Sequence, residues 1–289
     1  MRKRYSFRRA LNIMHSVIIF GGSRGIGRLI ADYLVQNGNE VSVAGRDGSV
    51  LAGFKKSIAK QNLNINTIKA DVVIEKEVIR AFNAHKKEWG KNPDVVINCA
   101  AIQGPIGNSW TIPVCKWEKV IRINLLGSFI VSKIAVKQMA KSGYGSIIMF
   151  SGGGAAYGRA NFSAYGVSKT GVLRMIETIA EELKLAGYPN IIINAVAPGA
   201  AKTRMTEEVI KAGLKAGGKA LEEAADTFRT GGTSLKQITD LIDFLIDPKA
   251  NCGLTGRLIH VREDYRLLIE KFRANVPNEI GKIRRIPIN

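Results

Sequence analysis

A chain of 289 residues with 46% apolar composition can bury the core of one α/β domain or two small ones. No stretch is apolar over the roughly 18 residues that a membrane span requires, and the three cysteines (Cys99, Cys115, Cys252) lack the spacing of a disulfide framework or a metal site. They read as buried thiols of a cytoplasmic protein, and the formal charge of +19 suits an anionic small molecule better than a nucleic acid or a membrane.

Five of those charges (Arg2, Lys3, Arg4, Arg8, Arg9) crowd a basic extension, residues 1–15, that precedes the first strand. Ser16 to Phe20 is an apolar strand entering a glycine-rich turn, and Ile26 to Val35 has the apolar spacing of a helix ended by Gly38. The alternation continues with strands at Val41 to Ala44, Ile65 to Ala70, Val95 to Asn98, Ser146 to Phe150, Ile191 to Val196 and Leu258 to Val261. Helices are expected at Leu51 to Ala59, Val78 to Trp89, Lys116 to Met139, Tyr165 to Leu185 and Leu235 to Leu245. Repeated strand–helix–strand units imply a parallel sheet covered on both faces, hence an α/β, Rossmann-type doubly wound fold in a single domain over residues 16–261. Residues 203–234 are polar and glycine-punctuated, as a substrate lid would be, and residues 262–289 form a charged C-terminal extension suited to a surface or a subunit contact.

The turn after the first strand reads Gly21-Gly22-Ser23-Arg24-Gly25-Ile26-Gly27. Glycines there let the backbone approach a pyrophosphate, and the following helix N-terminus offers it free N–H groups. An acid ending the second strand would select NAD through the adenosine ribose. Arg46 stands there instead, with Asp47 one step late, and Arg46 with Arg24 would clamp a 2′-phosphate. NADP is therefore expected over NAD.

With these features in order, the chain resembles the short-chain dehydrogenase/reductase family over residues 16 to 261. The resemblance rests on the glycine turn, Asp71-Val72, Asn98-Cys99-Ala100-Ala101, Asn124, Tyr165-Gly166-Val167-Ser168-Lys169, and Pro198-Gly199 followed by Thr203. It implies that Asp71 and Val72 meet the adenine and that Asn98 and Ala100 lie along the cofactor. Pro198, Gly199 and Thr203 would meet the nicotinamide, Lys169 would hold its ribose, and Asn124 would position a water that links Lys169 to solvent. Tyr165 and Lys169, four apart, share a helix face, so a cationic Lys169 should lower the tyrosine's pKa and fit it for proton transfer to a carbonyl.

Two departures stand out. Cys99 and Ala101 replace the family's usual amide and glycine, and its catalytic serine falls at Gly152 by the count from Tyr165. Ser151 serves through a local bulge, Ser163 serves, or no serine does. The resulting expectation is an NADP-dependent oxidoreductase of a carbonyl or alcohol, of 3-oxoacyl-reductase type among others. A cofactor-sensing binding protein and a basic nucleic-acid-binding protein are the alternatives. Homo-oligomers, dimeric or tetrameric, would form through the two long helices; no metal is implied.

Overall fold

The computed structural model describes residues 14–273 and 281–283. Seven parallel strands run β1 (Ser16–Phe20), β2 (Glu40–Gly45), β3 (Asn66–Lys69), β4 (Val95–Asn98), β5 (Gly145–Phe150), β6 (Ile191–Ala197) and β7 (Leu258–His260), ordered β3-β2-β1-β4-β5-β6-β7. Helices α1 (Gly25–Gln36), α2 (Gly48–Ala59), α3 (Glu75–Trp89), α4 (Val114–Ile121), α5 (Gly127–Met139) and α6 (Ser163–Leu185) alternate with them. After β6 come α7 (Arg204–Ala212), α8 (Gly218–Thr230), α9 (Leu235–Ile246) and the single turn α10 (Pro248–Asn251); α11 (Tyr265–Arg273) follows β7.

Alternation of side chains along each strand divides the core. Val17 and Ile19 face the α1, α2 and α9 layer, while Ile18 and Phe20 face α3, α5 and α6. Both faces are covered, so the central strands β1, β4, β5 and β6 are buried along their whole length, while Lys69 of the edge strand β3 is exposed. The order reverses between β1 and β4, which pair Phe20 with Asn98. A doubly wound sheet opens its ligand crevice at such a point, beyond the strands' carboxyl ends.

Three expectations need correction. The helix expected over Lys116 to Met139 carries a π-turn, Arg122–Leu126, between α4 and α5; apolar periodicity does not register one widened turn. The C-terminal extension is not simply a surface appendage. Leu268 of α11 is buried in the core, and the Gly281 carbonyl accepts the Leu258 N–H at 2.8 Å. The cysteines are not all buried: Cys115 is exposed. Residues 1–13 of the basic extension lie outside the described residues. No helix among the described residues is long and apolar enough to cross a membrane.

Candidate active site

The glycine turn is shaped by close approach. At Gly21, φ is +73°, and a Cβ there would stand 2.6 Å from the Ala100 nitrogen. A Cβ on Gly27 would stand 2.5 Å from the Gly21 carbonyl oxygen. The turn thus presses against the Asn98–Ala100 segment at the point where the sheet order reverses. Helix α1 begins after Arg24 with no side-chain cap and no acid in its first turn, so its first N–H groups face outward with the positive end of the helix dipole. Ser23 is buried beside Gly45, and Gly25 and Ile26 start the helix. This cradle fits a dinucleotide pyrophosphate.

Arg24 and Arg46, expected at a 2′-phosphate, each face an acid. Arg24 donates to Asp47 at 2.7 Å, and Arg46 lies 3.9 Å from Asp71. Asp47 is also the N-cap of α2, accepting from Ser49 and Val50, and these bonds hold its carboxyl below the usual range. Asp71 folds back on the Val73 N–H, and Val72 is buried against Gly127.

A line of buried hydrogen bonds joins three elements. Asn98, at the end of β4, accepts the Ala100 N–H and donates to Ser128, whose hydroxyl donates to the Asn124 carbonyl at 2.6 Å. Asn124 sits in the π-turn. Its side chain accepts the Ile102 N–H and donates to the Ile102 carbonyl and to Ser168. Ser168 in turn donates to the Tyr165 carbonyl at 2.7 Å. Asn124 therefore clamps Ile102 and the first turn of α6; the direct contact it makes is with these groups and not with Lys169. Ser168 and the π-turn were missed in the sequence, where Ser168 is only a filler of the Tyr-x-x-x-Lys spacing.

Tyr165 and Lys169 share a face of α6 as their spacing requires. Lys169 is buried, donates to the Phe150 carbonyl at 2.7 Å, and has its ammonium 5.6 Å from the centre of the Tyr165 ring. Burial pulls the Lys169 pKa down to about 8. Burial pushes the Tyr165 phenol up to about 12, and the opposing charge is that of Arg159. The ammonium meets the ring and a carbonyl rather than the hydroxyl, and desolvation raises the phenol's pKa, the direction opposite to the expected lowering.

The serine question resolves geometrically. Ser151 is buried and its hydroxyl donates to the Lys169 carbonyl, 3.2 Å away, so it is turned from Tyr165. A Cβ on Gly152 would stand 3.1 Å from the Tyr165 hydroxyl. The position beside the phenol belongs to residue 152, which has no side chain to offer. Of the three serine alternatives, this geometry bears on the first: the Ser151 hydroxyl is engaged by the α6 backbone. Successive residues of an extended segment face opposite ways. The Ser163 hydroxyl is buried without a hydrogen-bond partner among the described residues.

Pro198 and Gly199 follow β6, and Thr203 opens α7. Gly199 and Gly232 close the base of the 203–234 segment: the Thr233 N–H donates to the Ala200 carbonyl, and Ala201 bridges to Gly232. The segment is helical and rests on a small satellite core around Phe162, with Val209, Ala216, Ala220 and Ala224. Arg159 stacks on Phe162 and pairs with Glu223 of α8 at 3.2 Å, tying the lid to the loop before Tyr165. Nothing in the sequence marks that pair, 64 residues apart.

Comparison with known proteins agrees with this geometry. Residues 15–213 match the short chain dehydrogenase family. The chain is 27% identical to 3-oxoacyl-[acyl-carrier-protein] reductase FabG of Aquifex aeolicus, with 84% of this chain and 94% of that one covered. Among solved structures it resembles an actinorhodin polyketide ketoreductase with NADPH (TM-score 0.75, 27% identity, 88% and 97% covered). It also resembles an NAD+-bound xylitol dehydrogenase (TM-score 0.74, 25% identity, 84% and 96% covered). The glycine cradle at the sheet's switch point and the Tyr165–Lys169 pair beyond β5 agree with that match: the chain belongs to the short-chain dehydrogenase/reductase family, oxidoreductase enzymes that bind a nicotinamide dinucleotide.

Proposed function

We propose that this enzyme is an NADP(H)-dependent reductase of carbonyl substrates, with Tyr165 as the proton donor. The observation that carries the reading is the Tyr165–Lys169 pair at the carboxyl end of β5, with Lys169 buried and held on the Phe150 carbonyl. The turn from Gly21 to Gly27 would hold the pyrophosphate and Lys169 the nicotinamide ribose. Arg24 and Arg46 would hold a 2′-phosphate. Pro198, Gly199 and Thr203 would flank the nicotinamide, which supplies the hydride when bound.

Burial favours the protonated phenol, the form that donates to a carbonyl oxygen. Lys169, near 8, is the group that titrates in the working range. Similarity to a 3-oxoacyl reductase and a polyketide ketoreductase makes 3-oxoacyl compounds one candidate class. Gly152 favours a second reading, a slow enzyme or a cofactor sensor, because the donor beside Tyr165 is missing.

Tyr165→Phe tests both. It should lower kcat for NADPH oxidation by about 10²–10⁴-fold and leave NADP binding within a few-fold. Lys169→Ala should weaken both. A Tyr165→Phe enzyme with undiminished turnover would sink the mechanism; a wild type that binds NADPH and reduces no ketone, thioester, quinone or keto-sugar would establish the sensor.

A further inference from the structure

A cavity of about 840 Å³ lies between the β4–α4 loop and the one-turn segment Gly213–Ala216 of the lid. That volume is within the usual range for a small-molecule site. Its place is set by the hydrogen bonds described above. Ile102, which lines it, is clamped by Asn124, and Asn161, which also lines it, accepts the Gly107 N–H just before α6 begins. The cavity therefore lies on the side of the loop leading into α6, the helix that carries Tyr165.

Its lining has three lysines, Lys116, Lys119 and Lys215, and no acidic residue. Lys116 and Lys119 are three apart on α4 and so share a face, while Lys215 stands on the lid. None of the three forms an ion pair among the described residues. Other surface cations do: Arg159 with Glu223, Arg204 with Glu208 and Lys236 with Asp240. Three uncompensated cations on two walls of a cleft raise the local concentration of anions, and the cleft's apolar surface strengthens the field. Beside them Leu214 is 86% exposed, an apolar side chain left uncovered at the same rim.

We propose that this cavity takes carbonyl compounds bearing a carboxylate or a phosphate, with the anion held between Lys116 and Lys119 of α4 and Lys215 of the lid. The proposal rests on the carbonyl-reductase reading and adds the charge class of the substrate. It also assigns the lid a task, since Lys215 reaches the anion only from the lid side.

The test uses matched pairs on the full chain: 6-oxoheptanoate with its methyl ester, and dihydroxyacetone phosphate with dihydroxyacetone. Binding is read by calorimetry with NADP+ saturating, and turnover by NADPH absorbance. At least one anion should exceed its neutral partner by about tenfold, and which pair shows the preference assigns carboxylate or phosphate. The ratio should fall toward one in a Lys116→Ala, Lys119→Ala, Lys215→Ala triple variant. In wild type, which needs no variant to fold, it should fall as salt rises.

Equal binding within both pairs, binding by no compound, or a ratio that survives the triple variant would overturn the proposal. Neutral compounds reduced without preference would defeat it while leaving the reductase reading intact. Anion preference in binding without NADPH oxidation would do the reverse.

Discussion

At the scale of single residues, the missing side chain at Gly152 is the sharpest determinant. A hydroxymethyl group there projects toward the Tyr165 phenol, 3.1 Å from the Cβ position, so Gly152→Ser should raise kcat by roughly 10-fold or more by restoring a preorganised donor. Ser151→Ala should change kcat less than about twofold, because that hydroxyl is bonded to the helix carbonyl of Lys169. Steady-state NADPH oxidation measures both. The cofactor preference is a contest of charges at the other end of the site. Arg46→Ala should lower the NADP/NAD affinity ratio about tenfold. Asp47→Asn should raise it, since the amide still caps α2 while Arg24 is released; calorimetry decides. A third residue works far from the chemistry. His85 is fully buried between the hydroxyls of Ser16 and Ser42, and burial lowers its pKa to about 4. Its neutral form is favoured by the fold, so its contribution is complete above pH 6.5 and is lost as pH falls toward 4. Denaturant titrations should show about 2 kcal/mol less stability at pH 5 than at pH 7 from this group. His85→Gln should flatten that slope, whatever it does to the stability at pH 7.

At the scale of elements, residues 203–234 and the π-turn are the two departures from the regular strand–helix alternation. Gly199 and Gly232 lie where two chain segments cross at the base of residues 203–234. A Cβ on Gly232 would stand 2.3 Å from the Ala200 carbonyl oxygen, at a φ of +65°. Gly232→Ala should therefore loosen the lid base: limited proteolysis within residues 203–234 should quicken, and kcat/KM should fall several-fold. The satellite core around Phe162 ties this segment to the first turn of α6. The π-turn does a different job. Widening the helix by one residue at Arg122–Leu126 goes with a placement of Asn124 that lets it hold both Ile102 and Ser168. A regular helix over Lys116 to Met139, as the apolar periodicity suggests, has no such turn.

At the scale of the whole molecule, the two long helices leave apolar side chains uncovered: Leu126 and Phe129 on one, Val167 on the other. Phe129 is 47% exposed and Val167 50%. We propose that this surface pairs two copies, as the sequence resemblance implies. Phe129→Glu should shift the species seen by sedimentation velocity from dimer or tetramer toward monomer, by placing a charge in a desolvated contact. An unchanged distribution would place the subunit contact elsewhere. The charged C-terminal piece takes part in the domain rather than extending from it, because α11 closes the core beside α9 and Gly281 satisfies a free N–H of the edge strand β7.

The order of strands and helices was legible in the amino-acid sequence because the central strands are buried on both faces and so read as apolar runs, Val17-Ile18-Ile19-Phe20 being the plainest case. The glycine turn and the Tyr165–Lys169 pair were legible for a similar reason: local backbone geometry and a four-residue helical step impose them. What depends on contacts between distant segments was not. The direction of the Ser151 hydroxyl, the acids facing Arg24 and Arg46, the Arg159–Glu223 tie and the cavity between Lys116 and Lys215 all join residues far apart in the chain. The raised pKa of Tyr165 belongs with them. Sequence spacing brings a lysine one turn away, but only the packed structure determines that the ammonium turns to the Phe150 carbonyl and that the phenol is desolvated.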